Sequence, residues 1–199
     1  MLPAPPPLPA LPPAPGQTAA ALEASRRVVE HLLRTRSAEA SVRELAEVSG
    51  LSERTFYRYF PRKEDAMRPY LEAGLNHVLS AAAAAPPSVS LRDALVQAHA
   101  PLLDRARSEE GAALLAVIEQ SERNRALWLS LLTDAEARFA ALAAERLGLP
   151  PRDLRVRVLA AAVVAAGRLA LEPAEQQRTP SQQFAAALDL LGADLLPDP

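Results

Sequence analysis

The chain has 199 residues, of which 49% are hydrophobic and 23% charged, a composition that excludes a globally disordered or fibrous protein. It contains no cysteine, which excludes thiolate metal sites, iron–sulfur clusters, cysteine nucleophiles and disulfides. The net charge of −2 excludes nucleic-acid binding through bulk positive charge but leaves a local basic surface open. Alanine occupies 42 positions, whereas Val, Ile and Thr together occupy 18, so we expect an all-α fold.

The chain begins with a proline-rich segment. Eight of the nineteen prolines lie within residues 1–15, a stretch without any charged side chain. We therefore expect residues 1–16 to form a disordered, solvated polyproline II tail. The tail lacks the basic start and unbroken apolar run of a secretory signal, and the apolar run 158–167 is about half as long as a membrane span. We expect a cytoplasmic protein that is neither exported nor inserted in a membrane.

Beyond residue 17 the hydrophobic residues recur at helical spacing almost throughout, with breaks rich in proline or glycine. Nine helices are predicted, at about residues 18–36, 42–48, 53–60, 62 to the low eighties, 91–108, 111–121, 124–147, 152–172 and 181–195.

Residues 41–60 carry the signals of two short helices joined by a tight turn. Ser41 and Glu44 form a capping box at the start of the first helix, and Ser52 is the N-cap residue of the second. Gly50 lies between them, where the first helix must end in a left-handed residue. The pattern predicts a helix-turn-helix.

The second short helix is predicted to have two chemically different sides. At about 100° per residue, Phe56 and Phe60 point in one direction, which we assign to the core. Arg54 and Arg58 point the opposite way, towards solvent or a partner. Such a helix fits the major groove of DNA, where arginine bonds the O6 and N7 atoms of guanine. The alternative is an ordinary surface helix with two solvated arginines.

Two stretches of this region match a known pattern, VRELAEVSGLS at residues 42–52 and TFYRYFPRKEDAM at residues 55–67. With them, residues 18–78 resemble the DNA-binding domain of the TetR family of bacterial transcriptional regulators. The family often has Ser or Asn where this chain has Arg62, so the start of the fourth helix departs from the pattern.

The resemblance implies a fold and a domain organisation. We expect a three-helix DNA-binding domain over residues 18–78, with its helix-turn-helix at 41–60. A larger C-terminal helical domain for ligand binding and dimerisation would follow over residues 79–199.

The resemblance also implies a homodimer that binds a near-palindromic double-stranded DNA operator and uses no cofactor. Thr55, Tyr57 and Lys63 match family DNA-contact positions, and Lys63 is suited to binding a phosphate. The wheel position of Tyr59 suits packing as well as a phosphate contact. The candidate DNA-binding residues are Arg43, Glu53, Arg54, Thr55, Tyr57, Arg58, Tyr59 and Lys63.

In relatives of this architecture, a small molecule enters a cavity among the middle helices and changes the separation of the two recognition helices. We therefore expect a repressor that a small, hydrophobic ligand releases from its operator. The candidate pocket residues, each also compatible with an ordinary core or surface position, are Gln97, His99, Glu119, Asn124, Trp128 and Arg168.

The last two predicted helices are the candidates for the dimer interface. Residues 158–170 are apolar nearly all the way round, so that helix must be covered on most sides. The final helix carries an apolar stripe, formed by Phe184, Ala187, Leu188, Leu191 and Leu195. The two helices would form half of a four-helix bundle across a two-fold axis, or would close the core of the monomer.

No catalytic or metal site is predicted. His31, His77 and His99 are far apart, and no HExxH, GxSxG or glycine-rich nucleotide motif is present. Two alternatives to a repressor are kept: a helical sensor or interaction protein that has lost operator binding, and an enzyme that uses the central cavity.

Overall fold

The computed structural model describes residues 9–106, 108–172 and 178–196, without the side chains of residues 193 and 194. All regular secondary structure in these ranges is helical, which confirms the all-α fold class. The helices are α1 (Ala19–Thr35), α2 (Val42–Ser49), α3 (Glu53–Tyr59), α4 (Arg68–Ala83), α5 (Leu91–Ala106), α6 (Glu109–Glu119), α7 (Glu122–Leu147), α8 (Leu154–Leu171), α9 (Pro180–Asp189) and α10 (Gly192–Leu195). None of them combines the length and hydropathy that crossing a membrane requires.

The fourth helix begins later than the sequence predicts. A 3-10 turn, Glu64–Met67, precedes α4, and the Arg68 N–H donates to the carbonyl of Asp65. An α-helical bond to that carbonyl would have to come from position 69, which is a proline and has no N–H. The proline therefore forces the tighter turn.

The last predicted helix, 181–195, is wrong as a single element. It is divided into α9 and the one-turn helix α10, with Leu190 and Leu191 between them. Gly192 has a φ of 68°, a left-handed conformation that interrupts a right-handed helix.

Residues 9–16 are mostly exposed, as their composition predicts, but the arm is attached to the first unit at particular positions. Ala14 is buried, and Leu11 packs against the core and approaches Gly74 of α4. The Gln17 side chain accepts from the Ala14 N–H and donates to Glu72, which ties the arm to α4. Residues 1–8 of the predicted tail lie outside the described residues.

The helices form two compact units. The first comprises the chain up to His77 together with Glu109–Leu131, and the second comprises Val78–Ser108 and the chain from Leu132 onwards. The predicted division into functional domains after residue 78 stays a prediction.

The core of the first unit joins the helix-turn-helix to α1, the 3-10 turn and α6. Its fully buried side chains include Val28, Val29, Phe56, Phe60, Met67 and Val117. Because α6 packs on α1, a segment distant in sequence belongs to the same core as α2 and α3.

The core of the second unit is built by α5, α8 and α9 with part of α7. His99 is stacked between Phe184, at 4.3 Å between ring centroids, and Phe139, at 5.4 Å. Arg146 of α7 donates to the carbonyls of Ala85 and Val89 and so fixes the connection between α4 and α5.

Candidate nucleic-acid interface

Side-chain caps and a left-handed glycine define the two short helices. The Ser41 hydroxyl accepts from the Glu44 N–H at 3.2 Å, and the Ser52 hydroxyl accepts from the Thr55 N–H at 3.3 Å. Gly50 ends α2 with a φ of 74°, and its N–H donates to the last turn of the helix. Ser41, Gly50 and Ser52 therefore act as caps and turn in the structure. The predicted capping box is only half formed, because the Glu44 carboxylate bonds His31 instead of the Ser41 N–H.

One side of α3 is anchored in the core. Phe56 is 0% exposed and Phe60 is 1% exposed, and their rings meet edge to face at 5.1 Å between centroids. Phe60 is the C-cap residue with extended backbone rather than the last helical residue, because Pro61 follows it and disfavours a helical conformation there. The two rings fix the orientation of the helix.

The opposite side of α3 carries exposed polar groups. Glu53, Arg54 and Arg58 are exposed, and Tyr57 is 50% exposed. Thr55 is half-buried, and its hydroxyl oxygen accepts from the Ser52 hydroxyl at 3.0 Å. The structure thus brings two guanidinium groups and a phenol to the outward side of a short, anchored helix.

Tyr59 packs in the structure. It is half-buried against the core of the first unit, and its ring lies 6.1 Å from that of Phe60. The guanidinium carbon of Arg58 lies 5.5 Å from the centre of the Tyr59 ring, within cation–π distance. Packing, one of the two roles left open for Tyr59, is the role that these contacts support.

Two more candidate residues flank α3. Arg43 is exposed on the first turn of α2. Lys63 is half-buried, and its ammonium donates to the carbonyl of Ala40 at 3.1 Å. An ammonium has three donors, so this bond leaves two for another acceptor.

A buried histidine joins α1 to α2. His31 is 7% exposed, and its Nε2 donates to the Glu44 carboxylate at 2.9 Å. Its Nδ1 lies 3.0 Å from the Arg34 guanidinium, which can only donate a hydrogen bond. His31, which the sequence analysis considered only as a metal ligand, therefore helps to position the start of α2.

The loop between α1 and α2 is held from the end of α6. The Gln120 side chain accepts from the Ala38 N–H at 2.9 Å and donates to the Arg36 carbonyl at 3.0 Å. Arg36 itself has a φ of 52°, the one left-handed residue other than glycine among the described residues. Sequence analysis missed this contact, because no local pattern links residues more than 80 positions apart.

Comparison with known proteins gives a match to this region. The family model described as "Bacterial regulatory proteins, tetR family" matches residues 30–67, from the second half of α1 to the end of the 3-10 turn. Residues 30–67 are therefore similar to the helix-turn-helix region of the TetR family. This match confirms the resemblance and supports DNA-binding transcriptional regulation as the general function.

One solved structure is similar to the chain over most of its length. It is described as a TetR family transcriptional regulator, PfmR, from Thermus thermophilus, and it covers 87% of this chain and 97% of its own. The sequence identity is 21% and the TM-score is 0.46, a similarity too weak to support an inference about this chain. No curated protein matches the sequence.

The first unit contains a polar cavity of about 330 Å³ beside the helix-turn-helix. Its charged and buried polar lining residues are Glu39, Lys63, Glu64, Glu122, Arg123 and Asn124. Arg123 forms an ion pair with Glu64 at 3.5 Å, and the buried Asn124 amide donates to the Val117 carbonyl at 3.2 Å. Asn124 is the candidate pocket residue that lines this cavity.

The other candidate pocket residues lie in different surroundings. Gln97, Glu119 and Arg168 are exposed, and Arg168 pairs with Glu172. Trp128 is half-buried against the core of the first unit, and His99 is buried in the second. Three of the six candidate residues therefore lie at the surface. The sequence could not show this, because hydrophobic spacing does not indicate which side of a helix is covered by a neighbouring helix.

His99 is held as a neutral side chain. Its Nδ1 donates to the Leu95 carbonyl at 2.7 Å, and burial lowers its pKa from the usual 6.5 to about 4. A small apolar cavity of about 10 Å³ lies nearby in the second unit, among Leu95, Phe139 and Leu159. Its volume is at the lower limit of what a single water requires.

Phe184 and Leu188, part of the predicted dimer stripe on the last helix, are 0% exposed within the second unit. These two residues close the core of the monomer and do not face a partner, which was the alternative that the sequence left open. The exposed large apolar residues of this region are Leu154, Val158 and Leu169 on α8 and Leu190, which directly follows α9.

Proposed function

We propose that the chain is a dimeric repressor that binds a near-palindromic DNA site through α3 and is released by a small ligand. It acts in the cytoplasm and has no enzymatic activity. The observation that carries the proposal is the orientation of α3, whose buried Phe56 and Phe60 turn the exposed Arg54 and Arg58 outward within a TetR-type region.

The chemistry of this side suits a major groove. Two arginines at an i, i+4 spacing lie about 6 Å apart along a helix, and each guanidinium matches the two acceptors of guanine. Lys63 and Arg43 lie on either side of α3 in sequence and suit phosphate contacts. Glu53, at the first position of α3, accepts from the amino group of cytosine in such a complex.

Local charge supports this choice of surface. Residues 16–70 contain ten basic and eight acidic side chains, a net charge of +2, while the whole chain has −2 and the remainder therefore −4. DNA is attracted to the first region and repelled by the rest, which favours one orientation of approach.

The exposed surface of α8 supports dimerisation. Leu154, Val158 and Leu169 are 70%, 43% and 42% exposed, and Ala161 and Ala165 lie between them on the same side of the helix. Small residues between larger ones allow a second helix to approach closely. A dimer that reads a near-palindromic site places its two α3 helices in successive major grooves, about 34 Å apart.

The two described cavities set different requirements for a releasing ligand. A hydrophobic ligand that binds at the small apolar cavity in the second unit would have to enlarge it by displacing side chains such as Phe139. A small polar ligand fits the larger cavity beside Lys63 without that displacement. A ligand that binds the two states of the protein with a difference of roughly 1–3 kcal/mol changes operator occupancy about 5- to 150-fold.

Selection of binding sites from a pool of random DNA duplexes tests the proposal. We expect the purified chain to enrich a near-palindromic sequence with half-sites about 10 base pairs apart, and its affinity to fall steeply as salt is raised. Enrichment of no sequence, with the chain folded and dimeric, would favour the alternative of a helical sensor that has lost operator binding.

A further inference from the structure

We propose that Gln120 is a positioning residue for sequence-specific DNA binding. Its side chain links the end of α6 to the start of the helix-turn-helix. This inference rests on the proposed function, since it concerns the same DNA-binding surface. Nothing in the chain near α2 or α3 signals the role, because Gln120 lies 60 residues beyond Phe60.

The Gln120 side chain uses both ends of its amide on one short stretch of backbone. Its oxygen accepts from the Ala38 N–H at 2.9 Å, and its nitrogen donates to the Arg36 carbonyl at 3.0 Å. The two bonds pair the amide with the loop as a neighbouring β-strand would. A side chain with only a donor or only an acceptor cannot form both.

The loop that Gln120 holds needs such support. Arg36 is left-handed, a conformation in which the Cβ of a residue other than glycine lies too close to the following carbonyl oxygen. Its carbonyl is one of the two groups that Gln120 bonds, so the amide stabilises the backbone at the position of strain. Arg36 also pairs with Glu109 at the start of α6, a second and more exposed link.

The loop connects two ordered parts of the first unit, the helix-turn-helix and the turn that carries Gln120. Downstream, the Ala40 carbonyl accepts from Lys63, and Ser41 caps α2, so the loop fixes the start of the helix-turn-helix. On the Gln120 side of the contact, the turn that carries Gln120 is fixed by the buried amide of Asn124, which donates to the Val117 carbonyl. Val117 is 0% exposed in the core of the first unit, so Gln120 projects from a rigid support.

The position of Gln120 gives α6 a direct influence on DNA reading. A change at the junction of α6 and α7 shifts Gln120, and the loop it bonds moves with it or is released. The polar cavity begins at the next residue, Ser121, and includes Ala38 and Glu39 of the same loop. An event in that cavity would therefore act on the two Gln120 bonds.

The Gln120→Ala variant tests the proposal because it removes both bonds and leaves the net charge of the chain unchanged. We expect backbone hydrogen exchange in residues 36–44 of the DNA-free protein to rise at least fivefold. The Kd for the selected duplex should rise at least fivefold, and the Kd for an unrelated duplex should change less than twofold, because nonspecific binding depends on charge. A uniform loss of affinity for both duplexes would indicate a merely structural role and would overturn the proposal.

Two further variants keep the test decisive. Gln120→Glu preserves the acceptor for Ala38 but places a carboxylate oxygen against the Arg36 carbonyl, so hydrogen exchange in residues 36–44 should rise as in Gln120→Ala, even if the alanine variant folds poorly. Its DNA affinities are not compared with those of Gln120→Ala, because the added negative charge weakens binding to any duplex. Glu109→Gln removes the exposed ion pair to Arg36 and keeps both Gln120 bonds, and it should change the specific Kd less than twofold. A larger effect of Glu109→Gln than of Gln120→Ala would contradict the assignment.

The outcomes also separate the two proposals. If the wild-type chain discriminates no duplex, the proposed function fails, and hydrogen exchange alone decides whether Gln120 holds the helix-turn-helix. If the wild-type chain discriminates duplexes and Gln120→Ala does so equally well, the proposed function stands and the role of Gln120 is refuted.

Discussion

Phe56 and Tyr57 are adjacent in sequence and lie on different sides of α3. Phe56 is 0% exposed and contacts Phe60, whereas Tyr57 is 50% exposed and meets the Phe56 ring only at its edge, at 6.3 Å between centroids. Phe56 therefore stabilises the core, and its neighbour Tyr57 is exposed on the side proposed to contact DNA. The helical period alone predicted that Phe56 and Tyr57 lie on different sides of α3. The helix has only seven residues and two turns, which leaves little room for error in placing each residue on a side.

Alanine substitution separates the two roles. We expect Phe56→Ala to lower the free energy of unfolding by about 3–5 kcal/mol, because it removes a fully buried aromatic ring. Tyr57→Ala should cost about 1 kcal/mol or less and should weaken binding to the selected duplex. Chemical denaturation and DNA titration of both variants provide the check, and a large loss of stability in Tyr57→Ala with none in Phe56→Ala would reverse the orientation of α3.

His99 makes the stability of the second unit depend on pH. Burial lowers the pKa of His99 to about 4, so the folded chain binds a proton less readily than the unfolded chain, whose histidine has the usual value near 6.5. The stabilisation from neutral His99 is complete above pH 6.5, is lost as the pH falls from about 6.5 to 4, and changes little below that. The ceiling of this contribution is about 3 kcal/mol.

The prediction is checked by urea denaturation at several pH values. We expect the wild-type chain to lose stability between pH 6.5 and 4 relative to His99→Gln, which cannot titrate in that range. Parallel stability curves for the two proteins would show that His99 does not carry the effect.

At the scale of elements, local signals predicted the short helices well and their packing poorly. Ser41, Gly50 and Ser52 act within four residues of their partners, so the sequence shows their roles directly. The packing of α6 on α1 and the contact of Gln120 with the loop depend on groups far apart in sequence, which no periodicity reveals. The exposed positions of Gln97, Glu119 and Arg168 escaped prediction for the same reason.

The proline-rich arm illustrates how composition misleads. Proline and alanine alone cannot form a core, and this favoured a solvated tail for residues 9–16. Leu11 and Ala14 nevertheless pack on the first unit, because α4 presents an apolar surface and Gln17 anchors the arm by hydrogen bonds. A segment without a core of its own can therefore be ordered by the core of its neighbour.

Gly50 provides a test of the turn between α2 and α3. Gly50→Ala should lower the free energy of unfolding by roughly 1–2 kcal/mol, because a Cβ is disfavoured in the left-handed region. The added carbon also approaches the Arg27 guanidinium to 3.1 Å, which the flexible arginine relieves by moving.

Gly148→Ala is the matched control. Gly148 has a φ of 62° and open space around it, so its variant should lose similar stability without losing affinity for the selected duplex. We expect Gly50→Ala to lose affinity as well, since it disturbs the angle between α2 and α3. Equal DNA affinity of the two variants, measured by titration, would show that the turn between α2 and α3 does not affect DNA binding.

For the whole molecule, the proposed dimer determines what α3 can read. One α3 helix covers a few base pairs, and a two-fold partner doubles the site and fixes its symmetry. Val158→Glu on the exposed stripe of α8 should therefore produce monomers, because it buries a charge in the proposed interface. Leu129→Glu changes a residue that is 56% exposed in the first unit and should leave the dimer intact. Sedimentation velocity measures both, and a dimeric Val158→Glu variant would remove α8 from the interface.

The central claim is that the outward side of α3 reads bases, and base-pair preferences of arginine variants test it most directly. Arg54→Ala and Arg58→Ala would be titrated against every single-base-pair variant of the selected duplex, with Arg152→Ala, an exposed arginine of the second unit, as the charge-matched control. We expect each α3 variant to lose discrimination at one position in both half-sites, at roughly 1–3 kcal/mol per contact, while Arg152→Ala keeps the full profile. Unchanged base preferences in both α3 variants would contradict the claim.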